Sequence, residues 1–313
     1  MGVDAWDRAI ETYNHNFNSS GEMFLLQPDT VPSELGLGRR QIDLLLASPE
    51  CTNHTCAKGA AKRSEGSKRT ANYVLNFTRD LAPRWVVIEN VIHMKSWHGY
   101  NPLLEGMRSL GYGIRIEDID SVEFGVPQTR RRLFLLCEKG RIPDSLPRPT
   151  IAPPPAWQIL DYDPITGEDK WPSTLLDNGR RALPTLARFE RGVEVLGKGV
   201  PFLIVYYGSD GSGGWQSLDR PLRTITTLDR FGLVTWKKRK PWMRMLQVPE
   251  LMRAMGIDES DNFQLLGSRR DCIRQIGNGV APPVMQAIVK HLTKIQRKRI
   301  VHLAPCIRTG VIA

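Results

Sequence analysis

The sequence predicts an α/β fold built on a doubly wound, parallel sheet. Three observations carry that expectation. Short apolar runs occur at residues 42–47, 85–88 and 132–137, and segments with helical spacing of apolar residues lie between them. Prolines and glycines punctuate the joins. Parallel strands covered on both faces read as continuous apolar runs, as these do, and not as strict alternation. The chain has 313 residues, 41% hydrophobic and 24% charged, which suits one large core with a smaller lobe.

The elements follow in order. Residues 42–47 (IDLLLA) run into Ser48-Pro49, a buried strand passing into a loop. Tyr73, Leu75, Phe77 and Leu81 mark a helix over 70–82 that stops at Pro83. Residues 85–88 (WVVI) form the next strand, with Glu89 and Asn90 at its carboxyl end. A helix over 101–110 ends at Gly111, and strands follow near 113–118 and over 132–137 (RLFLLC). In open α/β sheets ligands collect outside the carboxyl ends of strands, where Cys51 and Glu89 both fall. From about 139 to 219 the pattern changes, with prolines at 143, 147, 149 and 153–155 and a glycine-serine stretch at 208–214. This region reads as a second lobe whose loops do recognition. Helices near 247–255 and over 283–299 return to the earlier style. The expected division is therefore 1–138, 139–245 and 246–313.

No stretch of roughly 18 uncharged apolar residues is present, so no membrane span is expected. The first residues, MGVDAWDRAIETYNHNF, are polar and acidic, unlike a signal peptide. Five cysteines, at 51, 56, 137, 272 and 306, form no CxxC pair. They read as reduced thiols of a cytoplasmic protein, with no zinc or other metal site. The formal net charge of +10 favours a polyanionic partner, although a basic solvated surface explains charge alone equally well. Basic runs stand at residues 62–63, 68–69, 130–132, 237–240 and 297–299.

Five short stretches carry the candidate chemistry. Cys51 follows Ser48-Pro49-Glu50. A cysteine in such a loop is more often structural than reactive, but a strand edge supplies the exposure a nucleophile needs. Glu89 follows an apolar strand. It reads either as a cap or salt-bridge partner, or as a carboxyl able to donate to a ring nitrogen. In Gln128-Thr129-Arg130-Arg131-Arg132, strand alternation puts Arg130 and Arg132 on one side and Arg131 on the other. Residues 275–283 (QIGNGVAPP) make a glycine turn followed by helix-starting prolines. Asp4, with Ala5 and Trp6, follows a short apolar pair, where an acidic residue either caps a helix or holds ribose hydroxyls.

Taken in order, these stretches resemble the motif series of the cytosine-C5 DNA methyltransferases of bacteria and phages. The series is the cysteine loop, Glu89-Asn90-Val91, the Gln-x-Arg-x-Arg run, Arg220-Pro221-Leu222-Arg223-Thr224-Ile225-Thr226 and Gly277-Asn278-Gly279-Val280. Phe124-Gly125-Val126-Pro127 and Arg244-Met245-Leu246 with Glu250 match connecting segments. The resemblance spans residues 1 to about 293 and is weakest over 139–215. It implies a Rossmann-like S-adenosylmethionine-dependent methyltransferase fold with a small target-recognition lobe. It implies double-stranded DNA as substrate, S-adenosyl-L-methionine as cofactor, and flipping of the target cytosine from the duplex. By the same resemblance Cys51 adds to C6 of cytosine, and Glu89 hydrogen-bonds or protonates N3. Arg130 and Arg132 orient those two and contact the base carbonyl. Asp4 matches the ribose-binding acid, with Ala5 or Trp6 against the adenine. Asp29 matches the acceptor for the adenine amino group, and Asn278, Gly279 and Val280 match the segment over the methionine end.

Two departures bear on this. Family members carry proline immediately before the cysteine, whereas Glu50 intervenes here, and a carboxylate beside a thiol raises its pKa unless it faces away. Glu50 is expected to face away. Members also begin with a strand and a Phe-x-Gly-x-Gly loop ahead of the acid matched by Asp4, and this sequence opens beyond them. The expectation is that residues 1–313 alone are nearly inactive and less stable than a form carrying the loop, unless a complementing subunit supplies it. A tRNA cytosine-C5 methyltransferase shares the same motifs, and a catalytically silent DNA-binding subunit is the competitor of another class. A recognition lobe of roughly 80 residues favours DNA.

Overall fold

The computed structural model describes residues 1–18, 20–38, 41–49, 72–176, 179, 181–207 and 213–303, without the side chains of residues 72 and 294–303. Along the chain, β1 (Val3–Asp4), α1 (Asp7–Phe17) and β2 (Glu22–Met23) come first, then β3 (Leu44–Ala47), α2 (Asn72–Leu81) and β4 (Trp85–Val91). Next are α3 (Tyr100–Ser109), β5 (Tyr112–Asp120), β6 (Arg131–Lys139), β7 (Thr174–Leu175), α4 (Leu183–Leu196) and β8 (Phe202–Val205). The remainder are β9 (Trp215–Ser217), β10 (Phe231–Lys237), β11 (Lys240–Met245), α5 (Val248–Arg253), α6 (Arg269–Asn278) and α7 (Pro282–Leu303). They form two compact units. One comprises Met1–Met23, Ser121–Arg130 and Pro149–Val284; the other comprises Phe24–Asp120, Arg131–Arg148 and Met285–Ala313.

The second unit holds a four-stranded sheet in the order β3-β4-β6-β5. Strands β3 and β4 are parallel, while β6 runs antiparallel to both β4 and β5. The mixed sheet corrects the expectation of a wholly parallel one. Residues 121–130 link β5 to β6, too few for the dozen or more that a parallel crossover needs. Pairing of β4 with β6 continues to Val91↔Arg132, so Glu89 and Asn90 lie inside the strand and not past its end. Val86 and Ile88 of β4 and Leu133, Leu135 and Cys137 of β6 pack with Val74 of α2 and Leu103, Leu104 and Met107 of α3. Met107 is fully buried, and such a side chain contributes roughly 2 kcal/mol by leaving water.

The first unit holds the small parallel pair β1-β2 and a five-stranded sheet in the order β7-β11-β10-β8-β9. Here the proline-rich stretch, read from sequence as recognition loops, also supplies β7, α4, β8 and β9. Helix α4 lies on this sheet, its Phe189 stacked on Phe202 at 6.1 Å between centroids. Gly192 permits that approach, since a Cβ there would come within 2.4 Å of the Phe202 ring. On β11, Arg244 is 5% exposed, and Glu250 of α5 is fully buried. Among the described residues no helix is long and apolar enough to cross a membrane.

Candidate active site

In the second unit, β4 carries Glu89 and Asn90 at 7% and 3% exposure. Glu89 stands opposite Phe134, and Arg132 opposite Val91, so Arg132 is the diagonal neighbour of Glu89 on the same face. Its Nε lies 3.2 Å from Glu89 Oε1, and a guanidinium Nη donates to its own neighbour's carbonyl, Arg131 O, at 2.9 Å. The strand therefore presents a largely buried carboxylate already oriented by a cation. Asn90, pointing the other way, donates from Nδ2 to Pro49 O at 3.0 Å, while its Oδ1 accepts from the Val91 N–H at 2.8 Å. Pro49 is buried and precedes Cys51 by two residues. This bond ties Pro49 to the strand that holds Glu89. Cys51 itself, and the expected outward turn of Glu50, lie outside the described residues.

The described cysteines are poor nucleophiles. Burial pushes the Cys137 thiol up to about 12. Cys272 is also raised, chiefly by burial and then by the charge of Asp271. A thiol held protonated at neutral pH does not attack.

Arg130 departs from the alternation read in the sequence. It precedes β6, belongs to the first unit and is 3% exposed. Its Nη1 donates to Ile225 O at 3.1 Å, and its Nη2 donates to Gly277 O and Gly279 O, each at 2.8 Å. A planar fork satisfies three carbonyls at once, fastening the glycine turn to the 220–226 segment. Gly277 is required there, because a Cβ would meet the Thr226 backbone at 2.4 Å. Gln128, fully buried, adds to the same joint by accepting from the Ile225 N–H at 2.9 Å and donating to Ala254 O at 2.9 Å. Sequence reading gave Gln128 no role. A buried amide between two loops leaves no periodic signal.

Of the other singled-out residues, Asp4 and Ala5 are exposed and Trp6 is half-buried. Asp4 Oδ1 accepts from the Trp6 N–H at 2.8 Å. The Arg274 guanidinium stands 4.2 Å from the centre of the Trp6 ring, a contact that sequence reading missed. Asn278 is exposed at the end of α6, followed by the half-buried Gly279 and Val280. In the second unit, exposed Asp29 occupies a turn in which Asn76 Nδ2 donates to Pro28 O at 3.0 Å and Thr30 O at 3.3 Å.

The three consecutive arginines should therefore separate in a urea unfolding series of single alanine variants. Arg130→Ala orphans buried carbonyls and should cost about 1–3 kcal/mol. The exposed Arg131 should change stability by less than about 0.5 kcal/mol. Arg132→Ala should fall between them. Equal losses at all three positions would contradict the placement of Arg130.

The family model for C-5 cytosine-specific DNA methylase matches residues 1–165 and 196–294. The Type II methyltransferase M.HgiDI of Herpetosiphon aurantiacus is 31% identical over 147 residues, covering 45% of this chain and 46% of that protein. M.BsuFI of Bacillus subtilis is 24% identical over 299 residues, covering 90% of this chain and 64% of that protein. The chain thus spans less than two thirds of the length of these relatives. Among solved structures, a DNMT2 mutant of Spodoptera frugiperda superposes with a TM-score of 0.63 at 15% identity, over 93% of this chain and 91% of that one. At that identity the likeness is one of fold.

Proposed function

The chain belongs to the C-5 cytosine-specific DNA methylases, and from that premise we propose that it transfers a methyl group to C5 of cytosine in double-stranded DNA. The observation that carries the reading is the Glu89–Arg132 pair at 3.2 Å, on the strand to which Asn90 ties Pro49, two residues before Cys51. In this reading Cys51 adds to C6 of a flipped cytosine. Glu89 hydrogen-bonds or protonates N3, and Arg132 holds the Glu89 carboxyl in position. Charge delivered to the ring makes C5 nucleophilic. After transfer, loss of the C5 proton to water lets Cys51 leave by elimination. The five-stranded sheet of the first unit and its loops serve as the recognition lobe.

By donor chemistry, each of the residues matched by the resemblance suits one part of S-adenosyl-L-methionine. Asp4 keeps an exposed carboxylate for ribose hydroxyls after accepting the Trp6 N–H, and Trp6 offers an aromatic plane for adenine. Asp29 offers an acceptor for the adenine amino group, and Asn278, Gly279 and Val280 would line the methionine end. When bound, the cofactor supplies an electrophilic methyl group. Arg130, by its three carbonyl contacts, acts on the glycine turn and is a positioning residue for that end.

The test is to incubate a form carrying the Phe-x-Gly-x-Gly loop, and residues 1–313 alone beside it, with methyl-labelled S-adenosylmethionine and either mixed-sequence duplex DNA or tRNA. Label recovered as 5-methylcytosine in DNA is the expected result from the loop-carrying form. Label confined to tRNA would overturn the substrate, and cofactor-independent binding of DNA without label in either would favour the silent DNA-binding subunit.

A further inference from the structure

The turn between β10 and β11 breaks two local rules at once. Lys238 and Arg239 occupy it with φ of 50° and 61°, left-handed conformations that a two-residue hairpin demands and that asparagine and glycine adopt at little cost. A non-glycine residue held there is strained by its own Cβ. The strand residues that close the turn, Lys237 and Lys240, are directly paired across the ladder, and like charges in that register repel. All four side chains are exposed. The side chains of Lys238, Arg239 and Lys240 have no ion-pair or hydrogen-bond partner among the described residues.

The base of the hairpin is braced. Lys237 Nζ donates to Ser173 Oγ at 3.2 Å and lies 5.4 Å over the Trp242 ring. Trp236 Nε1 donates to Val200 O at 3.1 Å. The tip is therefore a fixed projection of concentrated positive charge, maintained at a cost that the fold itself does not repay. Strain of this kind marks a site whose return lies in a contact outside the chain.

Resting on the proposed action on DNA, we propose that the Lys238-Arg239 tip of this hairpin, part of the recognition lobe, clamps the phosphate backbone of duplex DNA. A two-stranded ribbon fits a major groove about 12 Å wide. Lysine and arginine side chains deliver charge to phosphates, which fixes register without reading sequence. An anionic lipid surface fits less well, because the four tip residues include no apolar anchor.

The test replaces the turn by the pair it would hold most easily, Lys238→Asn with Arg239→Gly, in the full chain. Its thermal midpoint should be unchanged or higher, so a binding defect cannot be ascribed to misfolding. Duplex DNA affinity, followed by fluorescence anisotropy against salt, should fall about tenfold or more at moderate salt. The slope of log affinity against log salt should shrink by about 2, close to 0.9 for each lost phosphate contact. The loss should be equal across unrelated DNA sequences. An unchanged slope in the variant, with the wild-type chain binding DNA normally, overturns the clamp alone. No salt-dependent DNA binding by the wild-type chain overturns both the clamp and the DNA-directed reading. Equal, turn-dependent binding of phosphatidylserine vesicles would make the tip a membrane contact and overturn its assignment to DNA.

Discussion

Cys51→Ser is expected to abolish covalent capture of DNA and to lower turnover by at least about 10³-fold, since a hydroxyl is a far weaker nucleophile than a thiolate. Two readouts separate this from a general loss of structure. DNA carrying 5-fluorocytosine cannot lose a C5 proton after methyl transfer, so it should trap a stable adduct with a form carrying the Phe-x-Gly-x-Gly loop and none with the Cys51→Ser variant of that form. Addition at C6 also loosens the C5 hydrogen before any methyl transfer, so release of tritium from DNA labelled at cytosine C5 tests the addition independently of the methyl donor. Glu89→Gln should retain slow exchange, reduced about 10²–10⁴-fold, the usual contribution of a placed acid. The described thiols cannot substitute, because burial raises both Cys137 and Cys272. Exchange or adduct formation persisting in Cys51→Ser at the wild-type rate would sink the assignment.

The largest effect on stability should come from Arg244→Ala. Arg244 on β11 gives its Nε to Asp169 Oδ2 at 2.8 Å and its two Nη groups to Glu250 at 2.7 and 2.8 Å. Both carboxylate side chains are fully buried and that of Arg244 is 3% exposed. Burial alone would lower the Arg244 pKa, but the hydrogen bonds to Glu250 and Asp169 outweigh it and leave it raised. Removing the cation strands two carboxylates out of water, which costs about 3–5 kcal/mol. A domain has roughly 5–15 kcal/mol in total. Urea unfolding should show a large fall in midpoint, with Arg244→Lys rescuing little because a single ammonium cannot serve both carboxylates as a fork does. Arg8→Ala, which breaks an exposed pair with Glu11, is the control and should change stability by less than about 1 kcal/mol. A loss at Arg244 no greater than at Arg8 would mean that the cluster is not a stabilising joint.

The sequence by itself determined the elements of the second unit and the family. Runs such as residues 42–47 and 132–137 are apolar wherever the chain goes, so β3 and β6 were legible, as were α2 and α3 from their spacing and from Pro83 and Gly111. The ordered motifs likewise pointed to the family, because they are local strings. What pairs with what was decided only by the tertiary structure. Nothing local shows that β6 lies between β4 and β5 and runs against both, and it is this register that brings Arg132 diagonal to Glu89. Alternation predicted a shared role for Arg130 and Arg132, but alternation holds only inside a strand, and β6 begins at Arg131. Arg130 instead meets carbonyls at 225, 277 and 279. The Arg244–Asp169 joint, the Asn90–Pro49 bond and the Arg274–Trp6 contact span 75, 41 and 268 positions. Periodicity reports the direction a side chain takes from its own backbone. The partner it finds there depends on how distant segments fold together, and that depends on the packing of the whole chain.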